Sequence, residues 1–145
     1  MKNEVEKANR MARIVVDTNV LVSALIKKGK PLSLVQRLLE KHTVVLSSQM
    51  LAELADVLSR DKFTITNAQI DLFISLLLRK STVTSVSGNL NVISEDPDDN
   101  IVLLTAINGK ADYIVSGDKH LLSLRKFEGI AIVTISQMLE ILSRP

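Results

Sequence analysis

Short apolar runs alternate with longer amphipathic stretches along nearly the whole chain. Arg13-Ile14-Val15-Val16 is one such run, ending at Asp17. Residues 43–46, rich in β-branched side chains, and 82–86, 111–116 and 130–134 are four more, and each predicts a strand. Between them the apolar positions recur at helical spacing. Thr18 can cap a helix over 19–26, and Pro31 fits the first turn of a helix to Lys41 with Leu32, Val35, Leu38 and Leu39 as its stripe. Ser47 or Ser48 can cap a helix to about Ser59, buried through Met50, Leu51, Leu54, Val57 and Leu58, with Glu53 on the flank of that face. Thr66 or Asn67 opens a helix to Lys80. Residues 87–97 read as a polar loop. Asp98 or Asp99 starts a helix that Asn108-Gly109 ends, with Gly109 as a left-handed cap. Gly117 and Asp118 open a short helix through Leu124, and Ser136 caps a last one over 137–142. Strands alternating with helices predict an α/β fold whose parallel sheet is covered on both faces.

Composition narrows the chemistry. A chain of 145 residues is most simply one domain, with enough apolar residues (46%) for a core. It has no cysteine, which excludes disulfides, zinc–thiolate sites and thiol catalysis. Aromatic residues are only 3% and Trp is absent, which argues against a platform of stacked bases. The longest apolar candidate, 14–26, is interrupted by Asp17 and Asn19, so no membrane span is expected. Residues 1–12 form a charged extension, expected to be flexible, without a signal-peptide apolar region, and a cytoplasmic location follows. A net charge of +2 permits a nucleic-acid partner without demonstrating one.

The candidate chemistry lies in four acids: Asp17, Glu53, Asp99 and Asp118. Asp17 and Asp118 each follow an apolar strand, and Asp99 and Glu53 stand near the starts of helices. In open parallel sheets ligands bind beyond the carboxyl ends of the strands, where strand order reverses. Acids converging there repel one another unless a divalent cation holds them. Carboxylates are the hard oxygen ligands that Mg²⁺ or Mn²⁺ prefers, and such a site suits phosphodiester cleavage. Taken alone, each acid has a plainer reading as a cap, a dipole partner or a solvated helix residue. In this reading Asp17 and Asp99 bind metal directly, Asp118 directly or through water, and Glu53 holds the attacking water. Asn19 and Ser116 support ligands or water by hydrogen bonds.

The stretch Val16-Asp17-Thr18-Asn19-Val20-Leu21-Val22-Ser23-Ala24 resembles the opening motif of the PIN domain family. So do Leu46-Ser47-Ser48 through Glu53 and Leu58-Ser59-Arg60, then Asp96-Pro97-Asp98-Asp99-Asn100, then Tyr113 to Lys119 in Tyr-Ile-Val-Ser-Gly-Asp-Lys. Each motif is weak alone; in this order they are specific, and they imply one PIN-like domain over 13–143. The branch resembled is that of nucleic-acid-binding PIN proteins described as toxin components of toxin–antitoxin pairs. The resemblance implies three layers, α/β/α, around a parallel five-stranded sheet of order 3-2-1-4-5. It also implies a metal-dependent ribonuclease, with the family's four acids falling on Asp17, Glu53, Asp99 and Asp118. Asp96 and Asp98 stand as auxiliaries. His120 stands where relatives frequently carry an acid, and reads as a surface helix residue. An antitoxin protein and a second copy of the chain are the implied partners.

Lys119 adjoins Asp118 and is the best-placed cation for a substrate phosphate. Lys27, Lys28 and Lys30 follow a helix leaving the sheet edge, and are expected at the far end of the molecule. Two other readings compete. One is a PIN fold that binds RNA or protein with little catalysis. The other is a phosphotransferase of haloacid-dehalogenase type, which needs an acid two residues after Asp17, where this chain has Asn19.

Overall fold

The apolar runs become strands of one sheet. In the computed structural model, which describes residues 11–60, 63–87 and 96–144, the sheet has six strands. They are β1 (Arg13–Val16), β2 (Thr43–Ser47), β3 (Thr82–Thr84), β4 (Tyr113–Val115), β5 (Lys126–Phe127) and β6 (Ile130–Val133), in the order β3-β2-β1-β4-β6-β5. All pairs are parallel except β5 with β6. Central β1 sets Val15 against Val45 of β2 and Val16 against Val115 of β4. Ile14, Val15 and Val16 are all fully buried, so successive side chains are covered on both faces of the sheet.

The expected α/β fold and parallel order are therefore present, with one correction. The sheet gains β5, an antiparallel edge strand joined to β6 through Glu128 and Gly129, both at positive φ. That two-residue turn matches the twist of the strands it joins.

Seven helices are described: α1 (Thr18–Ile26), α2 (Gly29–Lys41), α3 (Ser48–Leu58), α4 (Asn67–Lys80), α5 (Pro97–Asn108), α6 (Lys119–Leu124) and α7 (Ile135–Ser143). Three capping details differ from expectation. Asp17, not Thr18, caps α1. Thr134, not Ser136, caps α7, because Thr134 and Gln137 form a reciprocal capping box. Gly109 ends α5 at φ −86, so it is not a left-handed cap; Lys110 takes the positive φ. Glycine is needed at 109 for space, since a Cβ there would lie 2.3 Å from Val45 Cγ1.

Leu34 and Leu38 of α2 are fully buried, and burying each such leucine contributes about 1.5–3 kcal/mol. Arg37 on the same helix donates to the Leu142 carbonyl of α7 at 2.6 Å. The charged extension falls outside the described residues up to Arg10, as does 88–95 of the polar loop. Ala12 is already buried and pinned, its amide donating to His42 Nδ1 at 3.0 Å.

Candidate metal centre

The carboxyl ends of β1 and β4 deliver the first two acids. The Asp17 amide donates to the Val115 carbonyl at 2.9 Å, which fixes Asp17 against the end of β4. Its Oδ1 accepts the Thr18 amide at 2.7 Å, and its Oδ2 accepts the Ser116 hydroxyl at 2.6 Å. The Ser116 oxygen in turn accepts the Asp118 amide at 2.9 Å, so one buried hydroxyl links both acids. Asp118 caps α6, its Oδ1 accepting the amides of His120 at 2.7 Å and Leu121 at 3.3 Å. Asn19 Oδ1 accepts the Gly117 amide at 3.4 Å, tying α1 to the turn before Asp118.

Helices α3 and α5 deliver the other two. Ser47, which caps α3, accepts the Met50 amide at 3.3 Å and the Thr105 hydroxyl of α5 at 2.9 Å. This buried link sets Glu53 on α3 relative to Asp99 on α5. The Thr18 hydroxyl reaches Glu53 Oε2 at 3.4 Å. Asp96 caps α5 by accepting the Asp98 amide at 3.0 Å, and Asp99 lies buried in the first turn.

All four acids meet in one cleft of about 390 Å³. Asn19, Val22, Ser23, Lys27, Val57, Asp96 and Asp98 line it as well. Ser116 supports it from beneath through Asp17. Lys119 does not line it; it stands exposed at the start of α6, beside Asp118. Lys27 departs from the expectation that the lysine run lies at the far end, while Lys28 lines a separate cleft. With Asn19 and Ser23, Lys27 follows the i, i+4 spacing of one helix face, and that face forms the cleft wall. Thr18 was also missed, although its place between Asp17 and Asn19 is the available signal for it. A larger cleft of about 700 Å³ lies between Leu122, Arg125, Ile132, Thr134, Gln137 and Arg144. Its one carboxylate among the described residues, Glu140, pairs with Arg144 at 3.7 Å, so it holds no cluster of acids.

The acidic cleft strains its own charges. Burial pushes Asp17 up to about 6, against the opposing hydrogen bonds from Ser116 and Thr18, with Asp118 and Asp96 adding repulsion. Burial and the charges of Asp98 and Asp17 push Glu53 up to about 6. Burial, then Asp118, Asp96 and Asp17, push Asp99 up to about 7. Asp99 Oδ2 is buried with no hydrogen-bond partner. A buried carboxylate oxygen left unpaired is costly unless a cation or proton meets it. Together with the all-oxygen donor set of the four acids, this fits a hard divalent cation. Asp99, Asp118 and His120 each offer a ligand atom, and these atoms lie within 4.8 Å of one another.

Residues 13–120 match the family model described as PIN domain. The chain belongs to the PIN domain family. Two solved structures share its fold. A chain from VapBC2 of Rickettsia felis, bound to a DNA fragment from its promoter, superposes at TM-score 0.63 with 19% identity, covering 84% of this chain and 98% of that one. PAE2754 from Pyrobaculum aerophilum superposes at 0.61 with 17% identity, covering 91% and 90%. No curated protein matches the sequence at a significant level. The strand order of this PIN domain sets β1 beside β4, which is why Asp17 and Asp118 face one cleft. Among the described residues no helix is long and apolar enough to cross a membrane.

Proposed function

We propose that this PIN domain protein is a metal-dependent endoribonuclease, cleaving RNA phosphodiester bonds where Asp17, Glu53, Asp99 and Asp118 converge. The observation that carries the reading is the buried, unpartnered Asp99 Oδ2 inside a cleft of six carboxyl groups. PIN domain proteins are generally nucleases, which supports the reaction class. Asp17, Asp99 and Asp118 would hold Mg²⁺ or Mn²⁺, with Glu53 completing the acidic set. Such a cation supplies Lewis acidity at phosphorus and offsets charge on the leaving oxygen.

The chain's own groups do the rest. Thr18 and Ser116 hold both oxygens of Asp17, so that carboxylate keeps one orientation. Glu53 is half-buried and raised to about 6, which suits it to accept a proton from an attacking water near neutral pH. Lys27, at the end of α1, sits along the cleft where a flanking phosphate of a single strand would pass. The fold it shares with VapBC2 supports a role as the toxin of a toxin–antitoxin pair, with an antitoxin protein as partner; self-association to a homodimer or higher homo-oligomer belongs to the same proposal.

Cleavage of a pool of single-stranded and structured RNA by the purified protein tests this. Cleavage is expected with Mn²⁺ or Mg²⁺ and lost with EDTA or in Asp17→Asn, which keeps an acceptor for the Thr18 amide. Cleavage that persists in both EDTA and Asp17→Asn would sink the assignment. Binding of metal and RNA without cleavage of any substrate would favour a binding module instead.

A further inference from the structure

A nitrogen donor stands beside two of the cleft's carboxylates, although it does not line the cleft itself. His120 is the second residue of α6 and is exposed, and one of its ring nitrogens falls within 4.8 Å of ligand oxygens of both Asp99 and Asp118. Opposite ligands of a small divalent cation stand about 4.2 Å apart, given metal–ligand distances of about 2.1 Å. A modest contraction would therefore seat one ion among the three. The backbone favours this placement. Asp118 Oδ1 accepts the His120 amide itself at 2.7 Å, so the cap that starts α6 also fixes where the imidazole begins. Across from it, Asp99 is only 5% exposed and its Oδ2 has no partner. The carboxylate that carries this unsatisfied oxygen and the imidazole thus belong to one group of ligand atoms.

We propose that His120 is a direct nitrogen ligand of the catalytic cation, and that it biases the site toward Mn²⁺ and away from Mg²⁺. The proposal rests on the metal-site reading above and adds to it a ligand of a different class. Mg²⁺ favours an all-oxygen shell and holds its waters tightly; Mn²⁺ also suits carboxylate and water but, as a first-row transition ion, tolerates an imidazole among them better than Mg²⁺ does. An acid at position 120 would leave the set all-oxygen; the imidazole changes its selectivity without changing the fold.

Two measurements on the full chain, each in wild type and variants, decide it. Pulsed EPR of bound Mn²⁺ should show the hyperfine coupling of a directly coordinated imidazole nitrogen, absent in His120→Ala. The only other histidine, His42, cannot supply that signal from its place before β2, where its Nδ1 is taken by the Ala12 amide. Calorimetric titration should show His120→Ala weakening Mn²⁺ binding by at least about tenfold, since even indirect partners of a metal are worth that much. Mg²⁺ binding should change less, and His120→Asp should move the preference back toward Mg²⁺. Because His120 is exposed, both variants are expected to fold. Unchanged Mn²⁺ affinity in His120→Ala, with no nitrogen coupling in wild type, overturns the ligand assignment while leaving the carboxylate site standing. Failure of wild type to bind Mn²⁺, or binding unaffected by Asp99→Asn, overturns both.

Discussion

Replacing Asp99 with Asn should stabilise the metal-free protein above neutral pH while destroying its response to metal. Asp99 is buried, its Oδ2 has no partner, and burial with the charges of Asp118, Asp96 and Asp17 lifts it from 3.8 to about 7. The folded value lies above the unfolded one, so the native state keeps the proton longer. Stability must then fall as pH rises from about 4 to about 7, and the deficit is complete above that. At about 1.4 kcal/mol per pKa unit the ceiling is about 4 kcal/mol. The carboxyl borders an open cleft, where water screens part of the repulsion, so about 2 kcal/mol is the expected gain for Asp99→Asn near pH 8. Near pH 4 wild-type Asp99 is protonated, and the difference should shrink toward zero.

Urea denaturation in EDTA at the two pH values measures this directly. Adding Mn²⁺ at about one hundred times its Kd should then reverse the ranking, because wild type gains about 2.7 kcal/mol from binding and the variant does not. If Asp99→Asn is the less stable protein near pH 8 in EDTA, or if its advantage does not fade in acid, the carboxylate is not strained by uncompensated charge. The physical case for a cation at Asp99 would then fail.

Three further outcomes are expected. Since Asp17 and Asp99 must be deprotonated to bind metal, and sit at about 6 and about 7, apparent Mn²⁺ affinity should climb through that range and level off above it; calorimetry showing a flat profile would contradict the shifts. Gly109→Ala should lose about 1–3 kcal/mol in urea melts, because Val45 is stiff at χ1 and cannot easily clear the new methyl. A Gly109→Ala protein as stable as wild type would mean that β2 and α5 yield more than their packing suggests. Lys27→Ala should lower RNA affinity and reduce the slope of log K against log salt by about 0.7, the share of one single-strand phosphate contact; an unchanged slope would remove Lys27 from the RNA path.

Much of this site is written in local sequence. An apolar run followed by an acid, as at Val16-Asp17 and Val115-Ser116-Gly117-Asp118, already places charge at a strand end, and both acids are found there. The neighbourhood of β1 and β4 was legible only through the motif resemblance, since local pattern carries no strand order. What escaped were features set by three-dimensional direction. Helix α1 runs along the cleft instead of away from it, so Lys27 returns to the site. The edge strand β5 is only two residues long, too short for any periodicity, and its Glu128-Gly129 turn is its one sequence trace. Gly109 reads as a cap, yet its real constraint is the approach of Val45, sixty-four positions earlier in the chain. His120 looks like any exposed helix residue until α5 brings Asp99 across from it.

The charge distribution bears on whether the cleft catalyses or merely binds. A chain of net charge +2 places six carboxyl groups in a single cleft, with Lys27 as the only cation among the described residues lining it. Without metal, that surface repels a polyanion, and three of its acids are already pushed toward neutrality by burial and one another. A module selected only to hold RNA gains nothing from such crowding, because its basic residues would serve better in the same place. The crowding makes physical sense when a cation is bound: each acid then lowers its own energy by ligation, and the same ion turns a repulsive cleft into one that admits a phosphate. The strain at Asp99 is thus better explained by a site built for a cation than by one built to hold RNA unaided.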